Sequence, residues 1–250
     1  MTVLAGGAVS DVGRVRPVNQ DGALSSPFLF AVADGMGGHR GGEVASALAL
    51  RALGGRARYR DASDLVAVVE QANQVVHGAS RDDPNVRGMG TTLCAIALVE
   101  RADAGAAGAA AAGGAGGAGP ERLVVVNVGD SRAYRLGADG VLEQLTVDHS
   151  LVQMLVDEGQ ITAEEAEHHP QRNIVTRVLG IEATVDVDVW ELDVVHGERF
   201  LVCSDGLFGE VEPDRIAVEL RRWADPREAA RRLVDVANAA GGRDNVTCAV

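Results

Sequence analysis

Four aspartates stand where apolar runs begin or end. Asp34 follows FLFAVA (28–33), Asp130 follows LVVVNVG (123–129), Asp205 follows the run from Arg199 to Ser204, and Asp244 precedes NVTCAV (245–250). Apolar runs of this length read as buried strands. Strands that each finish in a carboxylate bring those carboxylates to one rim of their sheets. Leaving such a group buried and unpaired costs on the order of several kcal/mol, so a cluster of them must be neutralised. The chain has no lysine to do this, since all 23 of its bases are arginine, and the arginines fall mostly in segments that read as helices. A divalent cation is the economical answer. Gly35, Gly129 and Gly206 adjoin these aspartates and let the backbone turn sharply or approach an ion closely. A donor set made of oxygen, without His or Cys, suits Mg²⁺ or Mn²⁺ and not zinc. Any single aspartate after a strand is as readily a turn residue or helix cap; the coincidence of four favours the cluster.

Arg16 is the second chemical element. It lies five residues before Asp21 on one polar turn. A guanidinium beside a metal cluster is a fork for phosphate or carboxylate and stays charged at any working pH. Taken alone it is equally an ordinary surface arginine. The cysteines Cys94, Cys203 and Cys248 have no CxxC spacing and lie in apolar segments, so they read as buried side chains in a reducing compartment, with neither a disulfide framework nor a zinc site.

The elements that must hold these residues follow from periodicity. Strands are expected at Val3–Ser10, Phe28–Ala33, Thr91–Val99, Leu123–Val128, Arg132–Arg135, Leu142–Leu145, Val187–Leu192, Arg199–Cys203 and Asn245–Val250. Helices are expected from Glu43 to about Arg56, across Leu65–Val76 with its i, i+3, i+4, i+7 apolar spacing, and at Ser150–Glu158, Thr162–His168, Pro213–Arg222 and Pro226–Ala239. The last two each carry proline in the first turn, where it suits a helix. Residues 102–119 are almost pure Ala and Gly. Each glycine there costs a helix about 1 kcal/mol, and no apolar stripe is present, so a flexible hairpin loop is expected within a single α+β domain spanning residues 1–250.

Composition narrows the function. A formal charge of −13 argues against a nucleic-acid binder, which needs a basic face. The absence of lysine removes P-loop, Schiff-base and Ser-Lys chemistry. No apolar run reaches the roughly 18 residues of a membrane span, and no signal-peptide pattern opens the chain, so a cytoplasmic protein is expected.

In this order the residues closely resemble the metal-dependent protein phosphatases of the 2C type, in their bacterial branch. The resemblance runs through SDVGRVRPVNQDG (10–22), VADGMGGHRGGEVAS (32–46), GMGTTL (88–93), NVGDSRAYRL (127–136), LTVDHSLVQMLVDEGQI (145–161), RNIVTRVLG (172–180), LVCSDGL (201–207) and GGRDNVT (241–247). It implies an αββα sandwich, two antiparallel sheets flanked by helix pairs, with a centre of two or three Mn²⁺ or Mg²⁺ ions at one end. Residue by residue it implies Asp21, Asp34, Asp205 and Asp244 as metal carboxylates, the carbonyl of Gly35 as a backbone ligand, and Asp130 with Asp205 at a third ion. It further implies Arg16 as the phosphate-binding residue and residues 148–180 as a flap beside the site. The implied activity is hydrolysis of phosphoserine and phosphothreonine by water at the metals, reversing Ser/Thr kinases. Phosphorylated proteins, the kinases among them, are the implied partners of a monomer. A regulatory phosphatase of the anti-anti-sigma type and a non-catalytic pseudophosphatase are the alternatives, the first opposed by Arg16 and the second by the intact acids.

Two positions depart from the pattern. Gln20 stands where glutamate is common, and Met36 stands where eukaryotic members have a histidine acid. His39 is the nearby substitute, as a proton donor or as a surface residue at a helix start, with metal-bound water the alternative source of the proton. His149 is expected to be a solvated histidine of the flap.

Overall fold

The strands nearest the middle explain the architecture. The computed structural model describes residues 4–38, 40–56, 58–100 and 121–250. The expected Ala/Gly loop at 102–119 and His39 lie outside the described residues. Strand β5 (Leu93–Glu100) pairs antiparallel with β6 (Glu121–Val128) over eight residues in register. Along β5, Cys94, Ile96 and Leu98 pack with Val32, Leu123, Val125, Ala133 and Val202. The alternate residues Leu93, Ala95, Ala97 and Val99 pack into a second, separate cluster. Both faces are therefore buried, and the sequence shows a continuous apolar run instead of an alternation.

One sheet has the order β2 (Asp21–Ser25), β3 (Leu29–Met36), β5, β6 and β9 (Asp188–Asp193), with the two-residue β4 (Gly90–Thr91) paired to the end of β3. The other has the order β1 (Ala8–Asp11), β11 (Val246–Ala249), β10 (Arg199–Cys203), β7 (Arg132–Leu136) and β8 (Leu142–Gln144). Every strand pair is antiparallel. Ala133 and Val202 of the second sheet meet the inner residues of the first, which makes the central core.

Helices α1 (Gly41–Gly54) and α2 (Ala62–Asp82) cover the first sheet through Ala45, Ala49, Leu53, Leu65, Val69 and Ala72. The four-residue α5 (Asp205–Phe208), with α6 (Pro213–Arg222) and α7 (Pro226–Ala240), covers the second through Leu207, Ile216, Leu220, Leu233 and Ala237. Each fully buried aliphatic side chain of this kind contributes about 1.5–3 kcal/mol of transfer free energy. The result is the expected four-layer αββα sandwich. Two further helices, α3 (Leu151–Asp157) and α4 (Ala163–Glu167), bury no residue and stand outside the layers. Among the described residues no helix is long and apolar enough to cross a membrane.

The structure corrects the expected elements at the site itself. The turn at residues 16–21 runs directly into β2, which pairs with β3. Alternation in β2 is blurred because its residues are only partly buried. Strand β3 also continues through Asp34 to Met36 instead of stopping before the aspartate, because β4 supplies partners for Gly35 and Met36.

Candidate metal centre

The pairing of β2 with β3 sets Asp21 directly opposite Asp34. Like charges at such positions repel, so the register is held by other bonds. The hydroxyl of Thr92 accepts from the Asp34 amide at 3.0 Å and shares a 2.7 Å contact with the Ser131 hydroxyl, while the Thr92 amide donates to the Asp34 carbonyl at 2.9 Å. Asp21 is held from the other sheet: Ser204 Oγ donates to its Oδ2 at 2.7 Å and accepts from the Thr247 amide at 3.1 Å. Behind this, Ser10 and Thr247 share a hydroxyl contact of 2.6 Å, and Asn19 Nδ2 donates to Ser10 at 2.8 Å. Gly35 is required by space, because a Cβ there would lie 2.0 Å from the Gly42 carbonyl oxygen.

Asp205 opens the short helix α5 at the end of β10, and Asp244 precedes β11. Asp130 follows β6 and is only 8% exposed. The five carboxylates feel one another. Asp34 is raised well above the usual carboxylate range by burial first, then by Asp21, Asp205, Asp130 and Asp244. Burial likewise lifts Asp21 and Asp205 to about 6 each, and burial with Asp205 and Asp148 lifts Asp130 to about 7. Such a cluster holds protons unless cations replace them.

Arg16 donates from Nη2 to Asp244 Oδ2 at 2.7 Å, with its side chain 56% exposed. It also feels Asp205 and Asp34, so it stands at the rim and is not an ordinary surface arginine. Asn245 clamps the loop that carries it: Nδ2 donates to the carbonyls of Val12 and Val18 at 3.0 Å each, and Oδ1 accepts from the Gln20 amide at 2.8 Å. The departure at Gln20 is thus tied in by its backbone, which also accepts from Gly35 N and Ser46 Oγ. Its side-chain amide reaches the Gly37 carbonyl at 3.4 Å. Met36 ends β3 exposed to solvent.

His149 is corrected by the structure. It is 8% exposed and not a solvated loop residue. Its backbone amide donates to the Gly129 carbonyl at 3.0 Å, and its Nδ1 accepts from the Gly129 amide at 2.9 Å. Its Nε2 lies 2.8 Å from Arg177 Nη1 and 3.2 Å from Asp188 Oδ2. Arg177 completes this corner with Nη1 2.7 Å from Asp188 Oδ1. Burial first, and Arg177 after it, hold the His149 pKa below its ordinary value. The segment beyond it closes on itself through Leu151 N to Ile174 O and Thr176 N to His149 O, both 2.8 Å, and ties to β4 by reciprocal bonds between Thr91 and Leu179.

The structure thus brings together Asp21, Asp34, Gly35, Asp130, Asp205, Asp244 and Arg16. Sequence reasoning missed the residues that hold them, namely Ser204, Thr92, Thr247 and Asn245. Ser204 and Asn245 stand next to Asp205 and Asp244, whereas Thr92 and Thr247 adjoin no aspartate; all four lie inside the stretches GMGTTL, LVCSDGL and GGRDNVT, with nothing there to give them a role. Cys94, Cys203 and Cys248 are buried, and burial pushes each thiol up, so none is poised as a nucleophile.

The donor set fits hard divalent cations. Asp21 Oδ1 is buried without a hydrogen-bond partner, an oxygen held ready for an ion. Among the described residues no three carboxylate, imidazole or thiolate groups already encircle one point.

A family profile for protein phosphatase 2C matches residues 18–244. The chain belongs to that family. It is 40% identical over 253 residues to the serine/threonine protein phosphatase PstP of Mycobacterium tuberculosis, covering 99% of this chain and 45% of that protein, so it spans about half the length of this relative. It is 34% identical over 251 residues to the serine/threonine phosphatase stp of Listeria monocytogenes, covering 95% and 91% of the two chains. A crystal structure of the PstP catalytic domain in complex with two manganese ions superposes with a TM-score of 0.79 at 38% identity, over 99% of this chain and 96% of that one.

Proposed function

We propose that this chain hydrolyses phosphoserine and phosphothreonine in proteins, using two or three Mn²⁺ or Mg²⁺ ions. The observation that carries the reading is the convergence of five aspartates and Arg16 on one rim of the sandwich, with Arg16 bonded to Asp244 at 2.7 Å. The family and the names of its relatives support the reaction, and the manganese complex of the similar structure supports the metal. Divalent cations, when bound, lower the pKa of water toward 7 and offset charge on phosphoryl oxygens.

The residues of the chain supply the rest. Asp21, Asp34, Asp205, Asp244 and the Gly35 carbonyl hold the ions, and Asp130 with Asp205 adds a further place. Ser204 orients Asp21, which is the task of a hydrogen-bonded neighbour behind a ligand. Arg16 engages the phosphoryl group through the donors that Asp244 leaves free. Water attacks phosphorus, the P–O bond to the serine or threonine oxygen breaks, and that oxygen takes up a proton. His39 is the side-chain candidate to give it. No covalent enzyme intermediate is needed, in keeping with the buried thiols. The chain is read as a cytoplasmic monomer opposing Ser/Thr kinases, with the kinases and their substrates as partners.

The test is release of phosphate from a phosphothreonine peptide in millimolar Mn²⁺. The wild type is expected to turn over, and Arg16→Ala to lose about 10²–10³-fold, the scale for removing one donor to developing charge. A wild type without turnover, or one indifferent to Arg16, contradicts the reading.

A further inference from the structure

We propose that Arg132 is a positioning residue that fixes the flap root at Asp148 to the segments carrying Asp130 and Asp205, so that flap order and cation binding at those two carboxylates rise and fall together. This rests on reading the rim as a cation centre.

Arg132 meets three segments at once. It follows Asp130 by two residues, at the start of β7. Its Nε and Nη2 donate to Asp148 at 2.9 and 2.7 Å, a two-pronged pair in which Asp148 is 11% exposed. Its guanidinium carbon lies 3.7 Å from the ring centre of Phe208, the last residue of the helix that Asp205 begins. Its Nη1 reaches Tyr134 OH at 3.2 Å. The neighbour of Asp148 adds a second tie, because His149 both donates to and accepts from the backbone of Gly129, the residue before Asp130. A shift of the flap root must therefore pull on the turn that presents Asp130 and on the helix that presents Asp205.

Lysine cannot reproduce this. An ammonium has neither the planar fork nor the flat face that stacks on Phe208. A residue that only braced the fold would leave cation binding and flap order independent. A coupling element makes them reciprocal, each changing the other by the same factor, commonly about 5–150-fold.

The chain is suited to the measurement. It has no lysine, so trypsin cuts only after arginine. Arg172 is exposed within the flap, and Arg81 and Arg87 are exposed outside it. Saturating Mn²⁺ is expected to slow cleavage after Arg172 in the wild type by about tenfold, while cleavage after Arg81 and Arg87 is unchanged. In Arg132→Lys and Asp148→Asn that protection is expected to fall below about twofold, with calorimetric Mn²⁺ affinity weakened by about tenfold at one equivalent only. Phe208→Leu removes the stack and keeps the ion pair; it is expected to lose part of the protection, and it carries the test if Arg132→Lys does not fold. Protection in the variants equal to wild type overturns the proposal. So does a wild type that binds Mn²⁺ without any protection, and that outcome leaves the cation centre standing. A wild type that binds no Mn²⁺ overturns both.

Discussion

At the scale of single residues, the site depends on groups that satisfy one another more than on the carboxylates alone. Ser204, Thr247 and Ser10 form a chain behind Asp21, and His149 forms a lock on Gly129. The His149 lock has a pH signature. Its Nδ1 accepts from a backbone amide, so a second proton must break that bond, and burial with Arg177 opposes the charge. The folded value is thus below the unfolded value of about 6.5. As pH falls below about 6.5 the unfolded chain takes the proton first, so this contribution is present above that value and lost toward acid. Urea unfolding at pH 7.5 and 5.5 checks it: wild type is expected to lose more stability on acidification than His149→Asn, whereas equal losses would remove the lock. Asp34, Asp130, Asp205 and Asp244 were legible in the sequence because strand ends and glycines flag them, whereas Asp21 as a ligand came only with the family resemblance and Arg16 alone read equally as a surface residue. The hydroxyls of Ser204, Thr92 and Thr247 were not, because a serine or threonine has many local uses, and only the packing of the strands shows which aspartate each supports.

At the scale of elements, the long apolar strands and the helices opened by proline were legible, since β10 and α6 fall at Arg199–Cys203 and Pro213–Arg222 as their periodicity and proline predict. Strand β2 and helix α5 were not. Both are short, and both are created by partners: β3 beside β2, and the bonds Leu207 N to Ser204 O and Gly209 N to Asp205 O for α5. The join between β3 and α1 gives a prediction of its own. A Cβ on Gly35 would meet the Gly42 carbonyl at 2.0 Å, whereas one on Gly38 meets nothing within 4 Å. Gly35→Ala is therefore expected to cost about 1–3 kcal/mol through forced backbone shifts and to weaken Mn²⁺ binding. Gly38→Ala is expected to do neither. Urea midpoints and calorimetry on the pair decide it, and equal behaviour would show that β3 and α1 are not tightly apposed.

At the scale of the whole molecule, the sandwich gathers acids from both sheets at one end and sets Arg16, bonded to Asp244, beside them. The formal charge of −13 is mostly solvated surface, but five of its carboxylates crowd one rim, and removing that repulsion is what cations do for the fold. Binding to the folded state alone stabilises by about 2.7 kcal/mol at a free ion concentration of 100 Kd. Helices α3 and α4, by contrast, contribute no buried residue, and the segment that carries them is tied in through Asp148 to Arg132 and through His149 to Gly129. Short helices were legible at 150–158 and 162–168, but not how little they would bury, because local sequence cannot say whether a core lies opposite. Activity and flap order alike depend on the rim being a cation centre, and calorimetric titration of the metal-free protein with Mn²⁺ tests that directly. At least two equivalents are expected for the wild type, with loss of one or more in Asp34→Asn and Asp205→Asn variants that remain folded by circular dichroism. A wild type that takes up no Mn²⁺, or variants that bind it as the wild type does, would contradict it.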